Sequence, residues 1–226
     1  MTHTLFYWPH HPQAHRLTLA FAAKQEPLTL HPLHWSDDET FFELGVARHG
    51  LVLRTADQKL HLDSLAFLER IDQYFPQAPY LFDSVIATDA WEALLEWRER
   101  VAAVLERLYA PLAPGFTGIG NDAEALADFK ASTQHRLGLS LEELANDRYA
   151  GFQQFSRLSR LPELARHLAR ERFYLGEFSV ADCLLAADLY PLQMHDGINL
   201  PVDMLYYLGR VEQHCGTSLN IDWLAK

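Results

Sequence analysis

Residues 173–189, FYLGEFSVADCLLAADL, constrain the fold more than any other stretch. Gly176 breaks whatever precedes it, and Ser179 stands three positions before Asp182. That spacing is a capping box: the Ser179 hydroxyl accepts from the Asp182 N–H, and the Asp182 carboxylate reaches back to the N–H of Ser179. Leu184, Leu185 and Leu189 follow at helical spacing. Val180, Ala181, Cys183 and Ala186 leave little polar face, so the helix is expected to be buried nearly all round. A helix start shut away from water must satisfy its first N–H groups internally. The stretch therefore reads as fold-holding, with no catalytic role.

Ahead of it the chain changes character once. Residues 4–8 (TLFYW) read as a short buried strand ended by Pro9. Pro12 suits the first position of a helix over 12–24, with Leu17, Ala20, Phe21 and Lys24 on adjacent turns. A second strand is expected over 27–35, a polar turn at 36–40, and a short helix carrying Phe41, Phe42 and Leu44, closed by Gly45. Residues 51–55 and 59–62 read as two strands of a hairpin. Asp63 and Ser64 open a helix with Leu65, Leu68, Ile71 and Phe75 at a 3.6-residue period, ended by Pro76. The order β-α-β-α-β-β-α is complete at that point.

Residues 77–85 read as a linker. A long helix from Trp91 to about Ala110 shows two apolar faces, one with Trp91, Leu94, Leu95 and Leu105, the other with Trp97, Val101, Val104 and Leu108. Such a helix touches two neighbours, either inside a bundle or across subunits. A Pro/Gly break at 111–121 is followed by helices at about 122–137, 141–155, 162–172 and 201–214, and by an apolar tail with Ile221, Trp223 and Leu224. The fold class is thus α/β followed by all-α. The expected division is 1–80, a linker at 81–88, and 89–226.

Composition narrows the function classes. With 226 residues, 49% of them hydrophobic, the chain can bury substantial cores. A formal charge of −11 and no basic stripe argue against direct nucleic-acid binding. Cys183 and Cys215 make neither a disulfide framework nor a metal set. With no signal-like segment and no membrane-length apolar run, a cytoplasmic protein is expected. His11 and His15 stand four apart on a helix, a spacing that suits a metal pair, but no Asp, Glu or Cys nearby completes a site, and no metal is expected.

The β-α-β-α-β-β-α unit with Leu62-Asp63-Ser64 opening its last helix, followed by a helical half with the Gly176–Asp182 cap, resembles the cytosolic glutathione transferase superfamily. The resemblance runs over nearly the whole chain. It implies a thioredoxin-like first domain that binds glutathione, a helical-bundle second domain, a small electrophile held between them, and a homodimer. It implies further that Asp63 pairs with the peptide's α-ammonium and Ser64 with its carboxylate, beside the helix-start N–H groups. A plain N-cap is the competing reading of that pair.

The thiol-activating residue of such proteins lies at or just past the first strand. Tyr7-Trp8-Pro9 is similar to the run of tyrosine-type transferases, where a phenol donates to a thiolate; the competing reading of Tyr7 is a core aromatic. Serine- and cysteine-type relatives place their residue near positions that are Trp8 and His11 here, so mixed-disulfide chemistry is not expected. His11 at a helix start is either a donor or base, or an exposed loop histidine. The family's cis-proline before the third strand has no counterpart, because no proline lies between Pro32 and Pro76. That bend falls near Leu51, Val52 or Leu53 and is expected to be trans or rebuilt, with the Val52 backbone as the cysteinyl contact. The second half, Glu177-Phe178-Ser179 through Asp182-Cys183 and Leu185-Ala186 with Gly197-Ile198, also resembles stringent starvation protein A. That resemblance implies a non-catalytic alternative that binds a protein partner.

Overall fold

In the computed structural model, residues 2–219 and 222–224 are described. Ile221 of the expected tail lies outside them. β1 (His3–Tyr7) runs parallel to β2 (Leu28–Pro32) and antiparallel to β3 (Leu51–Arg54), which pairs with β4 (Leu60–His61); the sheet order is β2-β1-β3-β4. The two-residue side-chain period sorts the strands cleanly. Leu5, Tyr7, Leu51 and Leu53 face α1 (Pro12–Ala23), whereas Phe6 and Val52 face α2 (Glu39–Leu44) in a separate cluster with Leu33 and Phe41.

α1 is more than a sheet-facing helix. Its other side packs on α10 (Val180–Leu189), so Ala14, His15, Arg16, Leu17, Leu19, Ala20, Phe21 and Ala23 are all buried. One hydrophobic core therefore runs without a break from the sheet through α1 to α10 and α11 (Val202–Cys215). α10 is buried along its whole length, and its reciprocal cap forms between Ser179 and Asp182. The stronger half is the carboxylate's: Asp182 Oδ2 accepts from the Ser179 N–H at 3.0 Å and from Ser179 Oγ at 3.4 Å. Its other oxygen accepts from the Tyr174 N–H at 2.8 Å and the Tyr207 hydroxyl at 2.9 Å.

The single helix expected from Asp63 to Phe75 is two: α3 (Ser64–Leu68) and α4 (Ile71–Tyr74). The chain tightens between them, with the Arg70 N–H donating to Phe67 O. Beyond that turn Asp72 collects the N–H groups of Leu81, Phe82 and Asp83 and the Lys24 ammonium. Lys24 places its remaining donors on Gln77 O and Pro79 O, each at 2.8 Å. The stretch at 77–83 is thus wrapped around one buried ion pair.

α5 (Thr88–Tyr109) buries residues of both expected faces, among them Trp91, Leu94, Trp97, Val101 and Leu108. It packs on α7 (Leu141–Asn146), α8 (Arg148–Leu158) and α10, while α6 (Ala123–Leu137) packs on α7 and α9 (Leu161–Arg170) on α11. The helix expected at 141–155 is interrupted at Asp147, which pairs with Arg107. At the end of the described chain, Trp223 stacks edge-on against Phe116 and the Leu224 N–H donates to Gly115 O. Among the described residues no helix is long and apolar enough to cross a membrane.

Candidate functional site

β1 ends in a turn, closed by the His11 N–H donating to Trp8 O at 2.9 Å, and Pro12 then starts α1. His11 is the N-cap residue in an extended conformation, but its side chain does not cap. The imidazole instead lies over Gly50, where a Cβ would sit 3.0 Å from the ring, so a side chain at 50 would displace it. Beyond the ring lies a cavity of about 260 Å³ between the sheet half and the helical half. His10, His11 and Gln13 border it on one side, Arg98, Glu106 and Tyr109 of α5 on another, and Phe129 and Arg136 of α6 beside them.

Arg16 and Asp188 complete the lining. Asp188 Oδ1 accepts from Arg16 Nη2 at 2.5 Å and Oδ2 from Arg98 Nε at 2.7 Å, while the Tyr109 hydroxyl donates to the Asp188 carbonyl. Burial alone would raise the Asp188 pKa; the two guanidinium groups more than offset it and hold the carboxyl below its usual range. Arg136 pairs with Glu106. Three atoms of lining residues are sealed from water without a partner: His10 Nδ1, His11 Nδ1 and Arg16 Nε. Burial pulls the His11 pKa down to about 3, reinforced by Arg16 and His49, and pulls His10 well down too. Both imidazoles are therefore neutral at pH 7, each offering one N–H and one lone pair.

Aromatic groups stand beside the cavity. Phe129 and His10 meet at 5.2 Å, Phe129 and Trp35 at 4.9 Å, and Trp35 and Trp8 at 4.3 Å between centroids. The Arg48 guanidinium lies over both indoles and donates to Trp35 O. Trp35 also reaches the helical half, donating from Nε1 to Asp128 at 2.7 Å and from its N–H to Gly118 O at 2.9 Å.

The residues singled out from sequence do not all meet here. His11 lines the cavity; Tyr7 does not. The Tyr7 hydroxyl is buried and donates to Asp222 Oδ2 at 2.7 Å, and burial with that carboxylate raises its pKa far above the phenol range. Asp63 caps α3, one oxygen accepting from the Leu65 and Ala66 N–H groups at 2.8 and 3.3 Å. Ser64 is buried with its hydroxyl unpartnered, and neither residue lines the cavity. Val52 is buried opposite Phe6. With Trp8 bonded to Gly50 across the same pair of strands, ladder alternation turns the Val52 backbone toward β1. The outward backbone is that of Leu51, whose carbonyl accepts from His49 Nδ1 at 2.9 Å. Leu51–Leu53 are in trans conformation; the cis bond among the described residues is Ala78–Pro79. His15 turns away from His11 to Pro9 O and the Tyr190 hydroxyl. Among the described residues no cluster of three His, Cys, Asp or Glu side chains is placed to hold a metal.

Arg16, Arg98, Arg136, Asp188 and His10 were not singled out from sequence. A signal existed for two of them. Arg16 opens the apolar run RLTLAFAA and Asp188 stands near the end of the apolar run 180–189, and a lone charge on a buried helix calls for an opposite charge elsewhere.

This arrangement is that of a thioredoxin-like unit with a helical unit packed across the start of its first helix, the glutathione transferase fold. Among solved structures, glutaredoxin 2 from Salmonella typhimurium, in complex with glutathione, matches with a TM-score of 0.79 over 96% of each chain at 18% identity. Two glutathione transferases from Phanerochaete chrysosporium match with TM-scores of 0.72 and 0.74 at 15% identity, over 96% and 95% of this chain and 100% and 97% of theirs. No protein-family profile and no curated protein sequence matches. At these identities the likeness is one of fold.

Proposed function

We propose that the chain binds glutathione and joins its sulfur to a small electrophile held in the interdomain cavity. The observation that carries this reading is the cavity at the start of α1, bordered by a neutral His11 whose ring nitrogen has no partner. A free thiol has a pKa of about 8.5, and a helix N-terminus lowers it. The His11 N–H would donate to the thiolate, the thiol proton leaving to water. The sulfur would then form a carbon–sulfur bond with the electrophile, either as a leaving anion departs with its electron pair or as an activated double bond opens and takes a proton from water. Tyr7 is not given this role, because its hydroxyl is spent on Asp222. The second Asp63 oxygen would meet the peptide's ammonium. The unpartnered Ser64 hydroxyl, buried as it stands, would meet its carboxylate once uncovered. Leu51, once released by His49, would offer the backbone edge in place of Val52. Assembly as a homodimer belongs to the same proposal and is tested by light scattering.

Calorimetry with millimolar glutathione is the first test. Heat of binding and a rise in Tm are expected; neither appearing would end the enzyme reading. His11→Ala should lower turnover about tenfold or more, a common scale for a lost donor at a reacting centre. Tyr7→Phe should leave turnover near wild type, and a tenfold loss there would return the role to Tyr7. A second reading rests on Val202, Leu205 and Tyr206, an exposed apolar stripe on α11. In that reading the fold serves as a partner-binding module, and glutathione resin would not retain it.

A further inference from the structure

The cavity carries more charge information than a general electrophile site needs. Arg16, Arg98 and Arg136 line it against only Asp188 and Glu106 as acidic partners, so one cationic charge is left over. Arg16 is 5% exposed, and its Nε–H donor has no acceptor. A guanidinium donor can do nothing but donate, and a buried one without an acceptor is costly. His10 and His11 line the same space, and each keeps a buried Nδ1 without a partner. Ala102, Leu105 and Phe129 supply its apolar surface. At about 260 Å³ the space falls below the roughly 300–1,000 Å³ of drug-sized sites, so its occupant is small.

We propose that this cavity binds a small monocarboxylate with an apolar body, the carboxylate meeting the side lined by Arg16, Arg136 and His10 and the body resting on Leu105 and Phe129, which leaves the His11 N–H to the thiolate. Its assignment as the second substrate rests on the glutathione reading; its existence as an anion site does not. One surplus positive charge favours a monoanion over a phosphate dianion. The neutral His10 imidazole can present an N–H donor without adding charge. The Arg16–Asp188–Arg98 group holds the guanidinium in place before any ligand arrives.

The test is titration of the whole protein with benzoate, by calorimetry and thermal shift, beside its neutral isostere benzamide and inorganic phosphate. Benzoate is expected to bind at least about tenfold more tightly than either, the scale on which a charge-assisted bond exceeds a neutral one. Equal binding of benzoate and benzamide, or no benzoate binding, would overturn the proposal. Arg16→Gln should abolish the preference, but it also unpairs Asp188. Two further variants leave that pair alone. Arg136→Gln should weaken benzoate roughly fivefold and Glu106→Gln should strengthen it by a similar factor, as one charge nearby at high effective dielectric would. Changes of the same sign in both would overturn it.

A repeat in saturating glutathione separates the two readings. Undiminished benzoate binding supports a second-substrate site. Loss of binding would show that the cavity receives a carboxylate of glutathione itself, overturning this inference while sparing the glutathione reading. Benzoate binding with no glutathione binding at all would do the reverse: the anion site would stand and the transferase reading would fall.

Discussion

Asp182 has no exposed surface, yet three donors besides the Ser179 hydroxyl converge on it: the N–H groups of Tyr174 and Ser179 and the Tyr207 hydroxyl. Asp182→Ala would strand all three, each costing about 1–3 kcal/mol, so a loss of about 3 kcal/mol or more is expected in urea unfolding. The pH dependence has a definite sign. Burial raises the Asp182 pKa from 3.8 to about 6 against the pull of its hydrogen bonds. The folded state therefore holds this proton more tightly than the unfolded state does. That contribution is complete below pH 3.8 and is lost as pH rises through about 6. The stability gap between wild type and Asp182→Ala should widen as pH falls from 7 toward 4. The Ser179–Asp182 cap was legible because it is local in sequence; Tyr174 and Tyr207 were not, because nothing at those positions marks a long-range partner. The same holds for Tyr7, whose partner Asp222 is brought to it by residues 222–224 docking on 115–117.

Elements were legible where periodicity decided them, and boundaries were not. The apolar period across 64–75 hid the break between α3 and α4, since the reason for it, Asp72 reaching 81–83, is a tertiary contact. α1 showed one apolar stripe in sequence, yet it is buried on two sides because α10 covers what the sheet leaves. The segment after β2 docks where sequence gave no hint. Trp35 bonds to Gly118, which has φ +81° and would place a Cβ 2.6 Å from Leu33 O. Gly118→Ala is therefore expected to cost about 1–3 kcal/mol, the usual scale of such backbone strain. It should also release Trp35 from Phe129, seen as a red shift in tryptophan emission. Unchanged Tm and emission would show that the docking tolerates a side chain.

At the scale of the whole molecule, two buried ion pairs fasten α1: Arg16 to Asp188 of α10 and Lys24 to Asp72 beside the connecting segment. Removing one partner of such a pair leaves an uncompensated charge, at a cost of about 3–5 kcal/mol. Lys24→Met should show that loss in urea unfolding, because it also deprives Gln77 O and Pro79 O of their donor. A change below about 1 kcal/mol would place the pair among those offset by their own desolvation. Because the Arg16–Asp188 pair crosses from α1 to α10, the halves cannot swing apart like jaws without tearing that charge from its counterpart. Arg48 is tied down by exposed contacts instead, its guanidinium draped over the indoles of Trp8 and Trp35 and paired with Asp38. Reorientation of an exposed side chain belongs to the picosecond-to-nanosecond range, far faster than the microseconds to milliseconds of a hinge.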